Sequence, residues 1–299
     1  MRPAEQGFLL LTSNLGDPQR HPLTVVQIRV LAERMRLTNK PTDDRDLTVS
    51  DIMDLGYHID MAQRIVSLLA DDRLMEHYLR QGSKAGCKPV TRISQEYPNT
   101  VLEKLGNEAP GCIWLKGDAS LLNMPKISLV GSREIRKENA AFAAEVGRQA
   151  AKQGYVLVSG NARGADRIAQ QACIENGGSV ICIVADSLLD KKADPGILYI
   201  SEDDYDAKFS GQRAHSRNRL IHCLADKTFV AQAELDMGGT WTGTVKNLKK
   251  CWSDVFCFSD GSKASAELAQ MGAQEITAIE LSDISVLRTD MQSLFTAEK

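Results

Sequence analysis

The sequence predicts an α/β protein: a doubly wound parallel sheet preceded by a small helical domain. Three observations lead there. Short apolar runs alternate with amphipathic stretches from Ile127 to Phe258, the pattern of strands covered on both faces by crossover helices. Two of these runs end in corners rich in Ser, Gly and Arg, at Gly131-Ser132-Arg133 and at Ser159-Gly160-Asn161-Ala162-Arg163-Gly164. Residues 1–80 carry short, closely spaced helical patterns with capping signals at their starts.

In the first 80 residues, Phe8–Thr12 is a short apolar segment. Thr24-Val25-Val26-Gln27 has the form of a capping box before a helix carrying Val26, Val30, Leu31 and Met35. A polar loop, TNKPTDDRD, follows at 38–46. Thr48 to Asp51 opens a second helix with Ile52 and Leu55 inward, and Met61–Tyr78 reads as a third with Ile65, Leu68, Leu69 and Leu74. Residues 81–126 read as a connecting segment with edge strands at Val90–Ile93 and Cys112–Leu115.

The remaining 127–299 form the α/β domain. Ile127–Val130 is a strand that Gly131 ends. Glu138–Gln153 is a helix with Ala141, Phe142, Val146 and Ala150 on one face, closed by Gly154. Tyr155–Val158 is the next strand, and a right-handed crossover puts both glycine corners at the carboxyl edge of the sheet. Further strands are read at Val180–Val184, Leu198–Ser201, Lys227–Ala231 and Val255–Phe258. Helices are read at Ile168–Glu175, Arg213–Leu224 and Thr240–Cys251, and the tail from Glu275 adds an edge strand and a terminal helix.

These corners suit phosphate. A glycine lets the backbone approach a ligand, the helix start offers N–H groups, and Arg supplies a forked cation. One such corner is equally a tight turn with a solvated arginine; two in one unit favour an anion site. Arg217, Asn218 and Arg219 begin a helix on the same edge, and Gly238, Gly239 and Thr240 open another. Arginine at a helix start opposes the dipole, which a bound anion would offset. The competing reading pairs Arg217 or Arg219 with Glu202, Asp203 or Asp204. Asp166 reads as a helix-start cap or ion-pair partner, His215 and His222 as ordinary polar residues, and Trp241 as either a base-stacking or a packed side chain.

Composition removes several classes. The net charge of −3 gives no global basic field. Neither GxGxxG nor the NTPase phosphate loop occurs, which argues against a dinucleotide enzyme. The seven cysteines form no C-x-x-C pair and the five histidines do not join them, so no metal site is expected; separately, no catalytic group and no cofactor is read. The odd thiol count fits a reducing compartment, and neither a bilayer-length apolar run nor a cleavable leader is read. The expected location is the cytoplasm.

GCKPVTRISQEYPN…GCIWLKGDASLLNMPKISLVGSR, SGNARGAD, SRNRLIHCLAD and GGTWTGTVKNLKK stand in one order along the chain. Together they resemble the DNA-processing protein A family, also called DprA or Smf. That resemblance implies an extended Rossmann-like fold that binds and protects single-stranded DNA, helps load the recombinase RecA, and forms a homodimer. It implies a phosphate or DNA site at Gly131, Ser132, Arg133, Ser159, Gly160, Arg163, Gly164, Arg217, Asn218, Arg219, Gly239 and Thr240. Ala214 and His215 depart from the family's Phe-Pro, and Gly238 stands in place of a Ser. The alternative is a nucleotide sensor, in phage defence for example, or a hydrolase of the related LOG type. The hydrolase reading is weakened because Asp236–Thr240 lacks the Pro and following carboxylate of P-G-G-x-G-T-x-x-E.

Overall fold

A computed structural model describes residues 2–38 and 46–289. The chain divides into two compact units. One holds the described residues up to Trp114 together with Glu202–Ala207; the other holds Leu115–Ser201 and the described residues from Lys208 on.

The first unit opens with helices α1 (Pro3–Thr12), α2 (Val25–Leu37), α3 (Val49–Asp54), α4 (Ile59–Leu69) and α5 (Asp72–Lys84). Strand β1 (Cys87–Thr91) and helix α6 (Asn99–Leu105) follow, then β2 (Cys112–Gly117), which straddles the division. The predicted capping box forms, with Thr24 accepting from Gln27 N at 3.3 Å, and the helix start read at Thr48 carries a second one, Thr48 accepting from Asp51 N at 3.2 Å; each is reciprocated by the later side chain. The core gathers Leu23, Leu31, Ile52, Ala62, Ile65 and Leu68, with Ile28 and Leu55 packed on it.

Three readings change here. Val26 and Met35 are exposed, because the inward stripe of α2 runs through Ile28 and Leu31. The single helix expected over 61–78 is two, broken before Asp72; Arg20 caps the end of α4 by donating to Leu68 O at 2.8 Å while its Nε pairs with Asp71 at 3.0 Å. Helix α6 replaces part of the connecting segment. Of the polar loop expected at 38–46, residues 39–45 lie outside the described residues.

In the second unit, β3 (Lys126–Val130), α7 (Lys137–Lys152), β4 (Val156–Ser159), α8 (Ala165–Glu175) and β5 (Val180–Ile183) alternate as predicted. Next come β6 (Ile197–Ser201), α9 (Gly211–Ser216), α10 (Asn218–Cys223), β7 (Lys227–Val230), α11 (Gly238–Lys250), β8 (Asp254–Phe258), α12 (Lys263–Gln270) and β9 (Gln274–Ile276). Among the described residues, strand order β6-β5-β4-β3-β7-β8-β9 is parallel throughout. The fold is Rossmann-like. The order reverses between β4-β3 and β3-β7, which opens a crevice at the carboxyl ends of β3 and β7.

The helix expected over 213–224 is split at Arg217, and α11 begins at Gly238 rather than Thr240. Of the expected tail, β9 supplies the edge strand and a short 3-10 segment, Glu280–Val286, follows; the rest of the terminal-helix reading falls on 290–299, outside the described residues. Six cysteines are buried and Cys251 is exposed.

Candidate nucleic-acid interface

The corner after β3 is built by close backbone approach. A Cβ at Gly131 would fall on the Cβ of Ala165 at the start of α8, so only glycine lets β3 end there. Gly164, at φ +80°, sits against the carbonyls of Ser132 and Arg133. Ser132 N donates to Gln232 O at 3.0 Å, and Ser132 O accepts from Ala165 N at 3.2 Å. Arg133 is left exposed on the turn.

The corner after β4 has the same residue types and a different content. Asn161 takes the left-handed conformation, φ 55°. The Asp166 carboxylate reaches back and accepts from Gly160 N at 3.0 Å and Ala162 N at 3.1 Å. A Cβ at Gly160 would fall on the Arg217 guanidinium, which occupies that space and donates to Ile183 O at 2.7 Å. Arg217 is 6% exposed. Burial pushes the Asp166 carboxyl up, opposed first by the Arg217 charge, then by the two N–H groups and by Arg133. Asp166 thus organises the turn ahead of α8 and stands against the Arg217 charge, and it does not cap the helix, one of the two roles read for it.

Helix α11 supplies the third wall. Met237 is its extended N-cap and gives no side-chain cap, so the first turn keeps its N–H groups available. Asn218 Nδ2 donates to Gly239 O at 3.2 Å and ties α10 to this turn.

A cavity of 610 Å³ lies among these pieces. It brings together seven of the predicted residues: Gly131, Ser132, Arg133, Arg217, Asn218, Gly239 and Thr240. The other five are not on its wall. Ser159 is buried and its hydroxyl is held by Gln170; Gly160 seats Arg217; Gly164 packs beneath Arg133. Arg163 is exposed away from the lining, and Arg219 Nη1 turns back to Ser216 Oγ at 2.6 Å. Of the four arginines expected at the site, Arg133 and Arg217 line the cavity.

Residues the motifs did not name complete the wall. Glu134 and Glu234 add carboxylates, and Phe209 and Met237 stand exposed at 58% and 61%. Arg217 is engaged by Asp166 and Ile183 O, so Arg133 and the open turn of α11 are the groups most available to an anion. His222 lines the floor, buried, its titration driven down to about 3 by desolvation. Trp241 is 5% exposed, which decides for the packed side chain over the stacking one. Lys246 lies 5.4 Å from the Trp252 ring centroid. Among the described residues no helix is long and apolar enough to cross a membrane, and no His, Cys, Asp or Glu cluster could hold a metal.

The sheet and its rim define a Rossmann-like protein with an arginine-bearing crevice. The family model of DNA recombination-mediator protein A matches residues 88–285, more than half of the chain, and the chain belongs to that family. It is 31% identical over 186 residues to the DNA processing protein DprA of Streptococcus pneumoniae, an alignment covering 57% of this chain and 65% of that protein. It is 27% identical to Protein Smf of Borreliella burgdorferi over 78% of this chain and 76% of the relative. In fold it is similar to the crystal structure of the pneumococcal DprA, with a TM-score of 0.70, 24% identity, and coverage of 94% and 96%. It is also similar to a structure of DNA processing protein A from Helicobacter pylori, described for its single-stranded DNA binding mode, at TM-score 0.55, 23% identity, and coverage of 71% and 96%.

Proposed function

We propose that this protein binds single-stranded DNA at the crevice between β3 and β7 as a DNA-processing protein, without chemistry of its own, and acts in the cytoplasm as a homodimer in DNA uptake or recombination by protecting the strand and passing it to a RecA-type recombinase. The observation that carries this reading is the exposed Arg133 beside the uncapped first turn of α11, on the wall of one cavity. Ser132, Arg133, Gly239 and Thr240 would contact phosphate oxygens directly. Arg217 and Asn218 would brace them from below. The predicted positions off the wall would serve by building the corners.

The test is a titration of labelled oligonucleotides at two salt concentrations. Affinity should fall steeply with added salt, because each neutralised phosphate releases counterions with a slope of ~0.7 per contact on a single strand. A weak, salt-insensitive response at low salt would end the reading. Family membership supports DNA; the cavity's size suits a free mononucleotide, which is the second reading. Nucleotides that raise the melting temperature and fail to be displaced by oligonucleotide would favour that alternative. Light scattering checks the dimer, and co-assembly on single strands with a RecA-type protein checks the partner.

A further inference from the structure

Gln232 stands two residues past the end of β7, yet it makes three hydrogen bonds to the corner after β3. Its main-chain O accepts from Ser132 N at 3.0 Å. Its Oε1 accepts from Arg136 N at 2.9 Å, and its Nε2 donates to Glu134 O at 3.1 Å. The three contacts bracket Arg133 on both sides. Both ends of the amide are used, one as acceptor and one as donor, a combination that neither a carboxylate nor a hydrocarbon can supply. The loop's own bracing is slight: Ser132 Oγ accepts from Glu134 N at 3.3 Å, and Arg136, the N-cap of α7, gives no side-chain cap bond. The far end of the loop is held independently, by the Arg136 guanidinium on Asp260.

We propose that Gln232 is the positioning residue of the Arg133 loop, holding it in the conformation that presents the guanidinium to phosphate. This rests on the DNA-binding reading above. An exposed arginine on a free loop must be ordered when it binds, and a loop already pinned in place avoids that entropy. Gln232 itself contacts no ligand; it acts through the backbone at 132–136.

Two measurements test this, one of them without DNA. In the free protein, Gln232→Ala should raise amide hydrogen exchange across 132–136 by roughly tenfold or more while the melting temperature and exchange in α8 and α11 stay near the wild-type values. Unchanged exchange at the Arg136 amide overturns the inference whether or not the protein binds DNA. In oligonucleotide titrations Gln232→Ala should weaken affinity about fivefold to tenfold and flatten the salt dependence toward that of Arg133→Ala. On the Arg133→Ala background it should do nothing further, since the group it positions is gone. Equal losses on both backgrounds, or a looser loop with unaltered affinity, overturns the positioning role. A wild-type protein without salt-dependent affinity sinks the DNA reading alone and leaves the exchange result to judge the splint.

Discussion

The corners after β3 and β4 are written in nearly the same residues, and the structure uses them in opposite ways. Each has a glycine at the end of a buried parallel strand, a serine beside it and an arginine close by. At the first corner the space above the turn is cavity, and Arg133 faces solvent. At the second the corresponding space is filled by the protein's own cation, Arg217, with Asp166 as its counter-charge. A glycine that admits close approach does not specify what approaches. The second corner has an internal occupant, and that occupant in turn forms part of the floor of the first. One corner opens outward; the other is a packed support.

The sharpest way to break this comparison is to remove the internal cation. Arg217→Ala leaves Asp166 buried with two N–H partners and without its chief opposing charge, and it vacates the space over Gly160. Uncompensated buried charge is destabilising by roughly 3–5 kcal/mol. Arg217→Ala should therefore shift the urea midpoint strongly, and its reduced oligonucleotide affinity should follow from lost folding. Gly160→Ala approaches the same point from the other side, because its methyl group would displace the guanidinium. If Arg217→Ala keeps wild-type stability and loses only binding, the two corners are alike after all and both face the ligand.

The packed floor should also show in acid. His222 sits under α11, with Nδ1 3.3 Å from the Thr228 hydroxyl and 3.2 Å from the Asn247 amide; Thr228 in turn reaches Ser128 at 2.7 Å and Ser253 at 2.6 Å. Desolvation holds the imidazole down at about 3, below its ordinary 6.5. The unfolded chain takes the proton first, so this contribution is fully present above pH 6.5 and is lost as pH falls from there toward 3. At ~1.4 kcal/mol per pH unit, the loss is about 2 kcal/mol by pH 5. Asp204, in the other unit, works the opposite way: burial raises it to about 6, so the folded state gains from protonation below that pH. The measurement is accordingly the difference between wild type and His222→Gln across pH 4.5–7.5. The variant should lose the acid slope attributable to this site; a constant offset at all pH values would mean that the imidazole charges freely in the fold.

Most of the frame was legible because it follows from local periodicity. The strands at 127–130, 180–183 and 227–230 are short apolar runs, and α7 carries its stripe through Phe142, Val146 and Ala150, with Ala143 buried in place of the expected Ala141, which is exposed. The capping box at Thr24 and the helix start at Thr48 were readable because the partners lie three residues apart. What was not legible depends on pairs far apart in sequence. Gln232 and Arg136 are separated by 96 residues, and nothing local marks either as a partner of the other. Arg217 could be seen to oppose its helix dipole, but the space reserved for it lies at Gly160 in another crossover unit. Phe209 and Glu234 belong to stretches without periodicity, so only the folded rim brings them to one wall. Chemistry-bearing residue types were readable; which of them face solvent was decided by packing.

The smallest stability effect carries the most functional weight. Arg133 is exposed, and the bonds that shape its turn are made by the backbone of its neighbours, so Arg133→Ala should leave stability within about 0.5 kcal/mol of wild type. Its affinity for single strands should fall, and the slope of log affinity against log salt should drop by ~0.7, the signature of one fewer phosphate neutralised. Because phosphate contacts do not read bases, the weakening should be uniform across oligonucleotide sequences. Arg163→Ala is the matched control, an exposed arginine of the other corner that is not on the cavity wall. A flatter slope in the Arg133 variant with an unaltered one in the Arg163 variant would assign the outward role to the β3 corner. Equal effects would instead mean that the strand runs across both corners, so that the wall of the cavity is only part of the track it follows.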